Sequence, residues 1–369
     1  MNIYELDTPC VLIDEEKMIS NISRMAKIAV QNRVNLRPHT KTHKVPEIAR
    51  IQVDAGAAGI TVAKVSEAEV MADNGLTDIF IAYPIIGEIK VRRVIELNKR
   101  IRLIVGVDSL EGAKALSDAA LTSGKKLEIR LEIDTGMQRT GVLYDQAKEL
   151  ALEILKLKGL NLTGIYTFRG LIYNGKVTDD CEAAGFEEGR LMADLAEDMR
   201  SNGVPIQDVS VGSTPTSEYA AQIPGVTEIR PGTYVFNDSK LVALGVCSIE
   251  DCAASILVTA VSKPVKDLII IDGGSKTFCM DTPVKSNPGY LEGHGYIKDH
   301  PELVFERFSE EHGMIRIKAG QESEIQIGDK LQVIPTHICT AINLHNKAYL
   351  SNSGQVVKEL PILTRGMVW

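Results

Sequence analysis

No stretch of the chain approaches the ~20 consecutive apolar residues that span a bilayer. It opens MNIYELDTPC, without a basic segment followed by an apolar run. These absences argue against membrane insertion and export, and the expectation is a cytoplasmic protein. Cys-x-x-Cys pairs are also missing. Cys10, Cys181, Cys247, Cys252, Cys279 and Cys339 are scattered along the chain, which reads as reduced thiols, most of them small core residues. No Gly-x-Gly-x-x-Gly follows an early strand pattern, which removes the usual dinucleotide-binding reading. Positive charge is in deficit: 41 Lys and Arg against 49 Asp and Glu leave a net charge of −8. A nucleic-acid surface is therefore not expected.

What is present is ordinary for a soluble globular protein, 44% hydrophobic and 24% charged. At 369 residues the chain exceeds what one core usually serves, so two domains are expected. A short β-rich run, Thr8–Asp14, precedes an amphipathic helix pattern over 15–31, with Met18, Ile22, Met25 and Ile28 on one face. The early run could join either domain. Strand-like runs then recur at 34–38, 59–65, 78–83, 101–107, 127–133, 162–168, 208–211 and 227–229, mostly separated by helix-period segments. This alternation predicts an α/β fold, a (β/α)8 TIM-type barrel, over an open doubly wound sheet with the same local pattern. Beyond about 242 short β runs broken by Gly, Pro and Asn take over, giving a second, mostly β domain. The expected division is 15–240 for the barrel, and 1–14 plus 241–369 for the β domain.

A barrel enzyme builds its site where its strands end. After the first strand comes Arg37-Pro38-His39-Thr40-Lys41-Thr42-His43-Lys44, with two histidines, two lysines and an arginine, and one candidate nucleophile, Lys41. Arg139 follows strand five, and Tyr166 to Tyr173 span the end of strand six. Gly212-Ser213-Thr214 follows strand seven and Arg230-Pro231-Gly232-Thr233-Tyr234 strand eight. Small-residue turns after the last two strands are where barrels commonly bind phosphate. A lysine at one strand end and a phosphate turn at another suggest pyridoxal 5'-phosphate, held as a Schiff base at one end and by its phosphate at the other. Arg37, His39, His43 and Lys44 would help depress the lysine pKa.

These motifs, with Asp7-Thr8-Pro9, Asp134-Thr135-Gly136-Met137-Gln138-Arg139-Thr140-Gly141, Asp272-Gly273-Gly274-Ser275-Lys276, Glu310-Glu311-His312-Gly313 and Pro335-Thr336-His337-Ile338-Cys339, stand in an order that resembles the D-threonine aldolase and D-serine dehydratase family. That family belongs to the alanine-racemase-like, fold type III pyridoxal phosphate enzymes. The resemblance runs nearly end to end and implies a barrel plus a β domain, a homodimer, and Lys41 as the Schiff-base lysine. It implies Arg139 near the ring or its 3-oxygen. Tyr166, Tyr173, Ser213, Thr214, Gly232, Thr233 and Tyr234 are expected around the cofactor. Arg230 is expected to face the ring nitrogen or, alternatively, to form an ion pair closing the barrel.

His337-Ile338-Cys339 would put an imidazole and a thiol on one face of a strand, a donor set suited to zinc, with manganese as an alternative. The resemblance makes them metal ligands, and His312 the candidate for acid/base work beside them. His39 and His43 are expected to tune the lysine instead. Where many relatives carry polar groups after strand six, this chain has Phe168, Arg169 and Leu171. That leaves the substrate open, with Arg169 suited to an acidic side chain. The expected activity is a lyase acting on a small-molecule D-β-hydroxy amino acid, dehydrating D-serine or D-threo-3-hydroxyaspartate to a 2-oxo acid and ammonia. The Cys form of the His-x-Cys pair favours dehydration over retro-aldol cleavage by a D-threonine aldolase. An amino-acid racemase and a non-catalytic cofactor-binding barrel are further alternatives.

Overall fold

The computed structural model describes all 369 residues. They form two compact units that interleave along the chain: 24–41, 46–232 and 367–369 in one, and 1–23, 42–45 and 233–366 in the other. The boundaries expected from sequence differ from these at 15–23, 42–45, 233–240 and 367–369. Local bonds explain two of those segments. Thr42 Oγ1 lies 3.1 Å from Cys339 Sγ, and Ser239 Oγ donates to Pro335 O at 3.1 Å, which ties both to the strand-rich unit.

The first unit is the barrel. Its strands are Asn35–Leu36, Ile60–Val62, Asp78–Pro84, Arg102–Val107, Leu127–Asp134, Leu160–Tyr166, Asp208–Val211 and Glu228–Ile229, all pairing parallel to their neighbours. The ring closes between strands one and two, where Thr61 N donates to Pro38 O and Ala58 N to Leu36 O, both at 2.8 Å. Helices such as Val65–Asp73, Glu88–Arg100, Leu110–Ser123 and Cys181–Ser201 lie between the strands in sequence. Their apolar faces bury Val94, Leu116, Ala196 and Met199 in one core with Ile79, Val105, Ile129 and Ile165 from the strands. Covering one face of a parallel sheet with helices is what gives such strands their apolar character.

Alternation within a strand sends the other side chains into the barrel. In Leu127–Asp134 the apolar residues Leu127, Ile129, Leu131 and Ile133 join the helix-side core, while Arg130 and Glu132 point inward. Inside the barrel, Phe80, Ile104 and Tyr166 form a small cluster of their own.

The second unit is a nine-stranded mixed sheet. Its central strand, Ala254–Val265, pairs with Cys10–Asp14, Leu268–Ile271 and Lys330–Pro335. The N-terminal strand therefore belongs here: Cys10–Asp14 runs antiparallel to 254–257 and parallel to Lys347–Asn352. The core gathers Ile256, Val258, Ile271, Phe278, Phe305 and Val333. Phe278 and Phe305 meet edge-to-face with centroids 5.0 Å apart, the arrangement favoured by the ring quadrupole.

Candidate active site

In the barrel unit, four strand ends bring Lys41, Arg139, Tyr166 and Arg230 to one cavity of about 360 Å3, which His39, Tyr83, Glu132 and Phe168 also line. That size suits a small ligand. Lys41 sits in a 3-10 turn, Thr40–Thr42, pinned by Thr40 Oγ1 donating to Thr61 O at 3.2 Å. Its Nζ lies 5.7 Å from the Phe168 ring centroid, and the Arg139 guanidinium lies 4.8 Å from the same centroid. The expected departure at Phe168 thus provides an aromatic face shared by two cations. At the rim, Lys64 Nζ lies 3.6 Å from the Tyr83 ring centroid.

Arg230 makes no ion pair. Its Nε donates to Ser210 Oγ at 2.8 Å and its Nη2 to the carbonyls of Thr167 and Ser210, which leaves Nη1 without a hydrogen bond. Burial pushes its pKa down. The barrel-closing ion pairs belong to other arginines. Arg37 Nε binds Glu228 Oε2 at 2.8 Å and Nη1 binds Asp78, while Arg130 binds both Glu228 and Asp208. Arg37 is therefore committed to carboxylates and does not line the lysine cavity as expected. Burial alone would raise the Glu228 pKa, but Arg130 and Arg37 hold it well below the usual carboxylate range.

The phosphate-type turn after strand seven is tightly made. Gly212 has φ +84°, and a Cβ there would come within 2.8 Å of Ser217 Oγ, so glycine is required. Thr216 Oγ1 accepts from Ser213 N at 2.9 Å and donates to buried Glu188 at 3.1 Å. Thr214 and Gly232 lie in this unit, Thr233 and Tyr234 in the other.

Two residues of the barrel lie elsewhere than expected, and one was missed. Tyr173 is 41% exposed on a two-stranded hairpin, 172–173 with 176–177, and lines no part of the cavity. Arg169 cannot greet an acidic substrate: its Nη2 pairs with Glu187 at 2.8 Å, its Nε donates to Ile172 O and its Nη1 to Thr135 O. Glu132 was missed. It is a buried carboxylate whose pKa is raised by burial against hydrogen bonds from Thr140 and Tyr166.

In the strand-rich unit, His337 and Cys339 do come together, but not on one strand face. The strand Lys330–Pro335 ends first, and extended His337 caps the short helix Ile338–Ile342 that carries Cys339. Their side chains lie close enough for each to shift the charge state of the other. Burial opposes the His337 charge, but the Cys339 thiolate and the Asp281 carboxylate outweigh it and raise the pKa to about 11. Burial likewise opposes the Cys339 thiolate, and the imidazolium more than offsets that, so its pKa is lowered. Thr42 and Thr233 hydroxyls lie 3.1 and 3.4 Å from Sγ. No group of three or more His, Cys, Asp or Glu side chains is placed to hold a metal, so the protein offers two donors. His312 is exposed in the turn between strands Leu303–Phe308 and Gly313–Ile317, and its side chain makes no hydrogen bond or ion pair.

Residues 13–240 match the alanine racemase N-terminal domain family and 253–351 a putative serine dehydratase domain family. The chain belongs to the D-threonine aldolase and D-serine dehydratase family of alanine-racemase-like proteins. Within this family it is 34% identical to a D-threo-3-hydroxyaspartate dehydratase of Delftia sp. (strain HT23), covering 91% of this chain and 92% of that one. It is 30% identical to a D-threonine aldolase of Arthrobacter sp., covering 99% and 94%. A solved D-threo-3-hydroxyaspartate dehydratase with a cysteine replaced by alanine, in the metal-free form, superposes with TM-score 0.89 at 32% identity over 98% of both chains.

Proposed function

We propose that the protein is a pyridoxal-phosphate- and metal-dependent lyase acting on a D-β-hydroxy amino acid, and that its main reaction is dehydration to a 2-oxo acid and ammonia. The observation that carries the reading is the imidazole–thiol contact of His337 and Cys339, a donor pair a racemase does not need. The residues fit both groups. The 360 Å3 cavity offers one amine, Lys41, and a buried guanidinium, Arg230, with an unused N–H. His337 and Cys339 offer nitrogen and sulfur donors of the kind zinc takes.

Pyridoxal phosphate, when bound, supplies an aldehyde for an amine and a ring that withdraws charge from the substrate Cα. Lys41 Nζ would be the amine that holds the cofactor, and the same amine, when free, would be the base for the substrate Cα proton. Arg230, aimed by Ser210 and Thr167, would supply a fixed positive charge to the cofactor, and Arg139, set over Phe168, a second one. Tyr166, Ser213, Thr214, Gly232, Thr233 and Tyr234 are the residues that would hold the cofactor and its phosphate. Tyr166 also donates to Glu132, the one carboxylate that lines the cavity. His337 and Cys339 hold a divalent metal, zinc in preference to manganese, which supplies Lewis acidity for a hydroxyl leaving group. In this reading 15–240 bind the cofactor, 1–14 plus 241–369 carry the metal, and the protein is a cytoplasmic homodimer.

Incubation of the metal-loaded holoenzyme with D-serine, D-threonine and D-threo-3-hydroxyaspartate tests it. Oxo acid with ammonia is expected. Glycine with an aldehyde assigns the aldolase reaction, which Asp rather than Cys at position 339 would favour. Interconversion of L- and D-alanine, indifferent to chelator, overturns the lyase reading.

A further inference from the structure

What one nitrogen of an imidazole binds decides what the other can do. His337 Nδ1 lies 2.6 Å from Asp281 Oδ2. The other carboxylate oxygen, Oδ1, accepts from Thr340 Oγ1 at 2.9 Å. Thr340 stands next to Cys339 in the helix Ile338–Ile342, so the element that carries the thiol also anchors the carboxylate that meets the imidazole. With Nδ1 engaged by Asp281, Nε2 is the nitrogen left to face Cys339. Asp281 itself comes from 279–294, which contains no helix or strand, and no motif in the sequence marks it.

We propose that Asp281 is a positioning residue for the metal pair. It accepts Nδ1–H, fixes that tautomer, and turns the ring so that the Nε2 lone pair and the Cys339 sulfur converge. Sitting on the far nitrogen, it does not ligate the metal with them. Charge donated through the ring makes Nε2 the stronger ligand, and such outer partners typically govern affinity 10–100-fold. Thr340 completes the arrangement by holding the carboxylate in plane. The proposal rests on the metal reading of the previous section.

The test is zinc affinity of the holoenzyme, read by competition with a chromophoric chelator. Asp281→Ala is expected to weaken zinc by about 10–100-fold, and Asp281→Asn, which keeps a neutral acceptor, by less. Thr340→Val should move affinity in the same direction. The visible absorbance of bound cofactor and the melting temperature should stay near wild type in all three. At saturating cobalt the thiolate charge-transfer band should persist in Asp281→Ala, because Cys339 remains a ligand. Wild-type affinity in a folded Asp281→Ala or Asp281→Asn protein overturns the proposal, as does loss of the cobalt band at saturation. A wild-type chain that takes up no zinc overturns the metal reading and this inference together, whereas tight wild-type binding with an indifferent Asp281 overturns this inference alone.

Discussion

The Tyr166 hydroxyl donates to Glu132 Oε2 at 3.0 Å inside the barrel, and the same hydroxyl occupies the space a Cβ on Gly106 would need. A Cβ at Gly106 would come within 2.1 Å of Tyr166 Oη, so a side chain at 106 and the Tyr166 hydroxyl compete for one space. Gly106→Ala is expected to destabilise the fold by about 1–3 kcal/mol through overpacking. Tyr166→Phe removes the clashing oxygen, so the double variant should be less destabilised than the sum of the singles. Denaturant melts of the full cycle measure the coupling, and strict additivity would refute the packing account.

Lys41→Ala should abolish the long-wavelength absorbance of bound cofactor and reduce turnover by at least ~10²-fold, the scale of a lost proton-transfer group. Absorbance spectra after dialysis with the cofactor decide it. A band that survives the substitution places the covalent link elsewhere.

Glu228 sets an acid limit. Its folded pKa lies below its ordinary value, so its contribution is complete above the usual glutamate pKa of about 4.3 and is lost as pH falls below that toward the folded value. Glu228→Gln leaves Arg37 and Arg130 buried with one carboxylate fewer, expected to be worth about 3–5 kcal/mol of stability at neutral pH. Between pH 7 and pH 3 the variant's stability should then fall less than that of wild type, as followed by urea unfolding at each pH.

Removal of metal should separate the two halves of the chemistry. Dialysis against a strong chelator is expected to stop oxo acid formation while leaving the visible cofactor band intact, and added zinc should restore it. Cys339→Ala should lower bound metal per chain, as read by elemental analysis. Cys339→Asp should raise the ratio of glycine to oxo acid.

The barrel was legible because its strands and helices alternate with the right periods, and Lys41, Arg139, Tyr166 and Arg230 because strand ends converge in such a fold. Side-chain direction was not. Glu132 and Arg130 hid in a run read as apolar, although its every second residue is charged: Leu-Glu-Ile-Arg-Leu-Glu-Ile-Asp. A basic octapeptide likewise does not say that Arg37 turns to Asp78 and Glu228 while Lys41 turns to the cavity. Arg169 looked available because its partner Glu187 and the carboxylate beneath its backbone, Glu188, come from the helix Cys181–Ser201, well along the chain. The His-x-Cys spacing foretold proximity correctly and its cause wrongly, since a strand-to-helix junction rather than a pleat brings the pair together.

Arg37, Arg130 and Glu228 are each no more than 2% exposed, and they bridge strands one, five and eight across the barrel interior. Charge locked this firmly makes the barrel a cup, not a tube. A molecule bound beside Lys41 must leave past the same rim it crossed on arrival, so Tyr83 and Phe168 meet product as well as substrate, and a change at either should alter release rates along with binding.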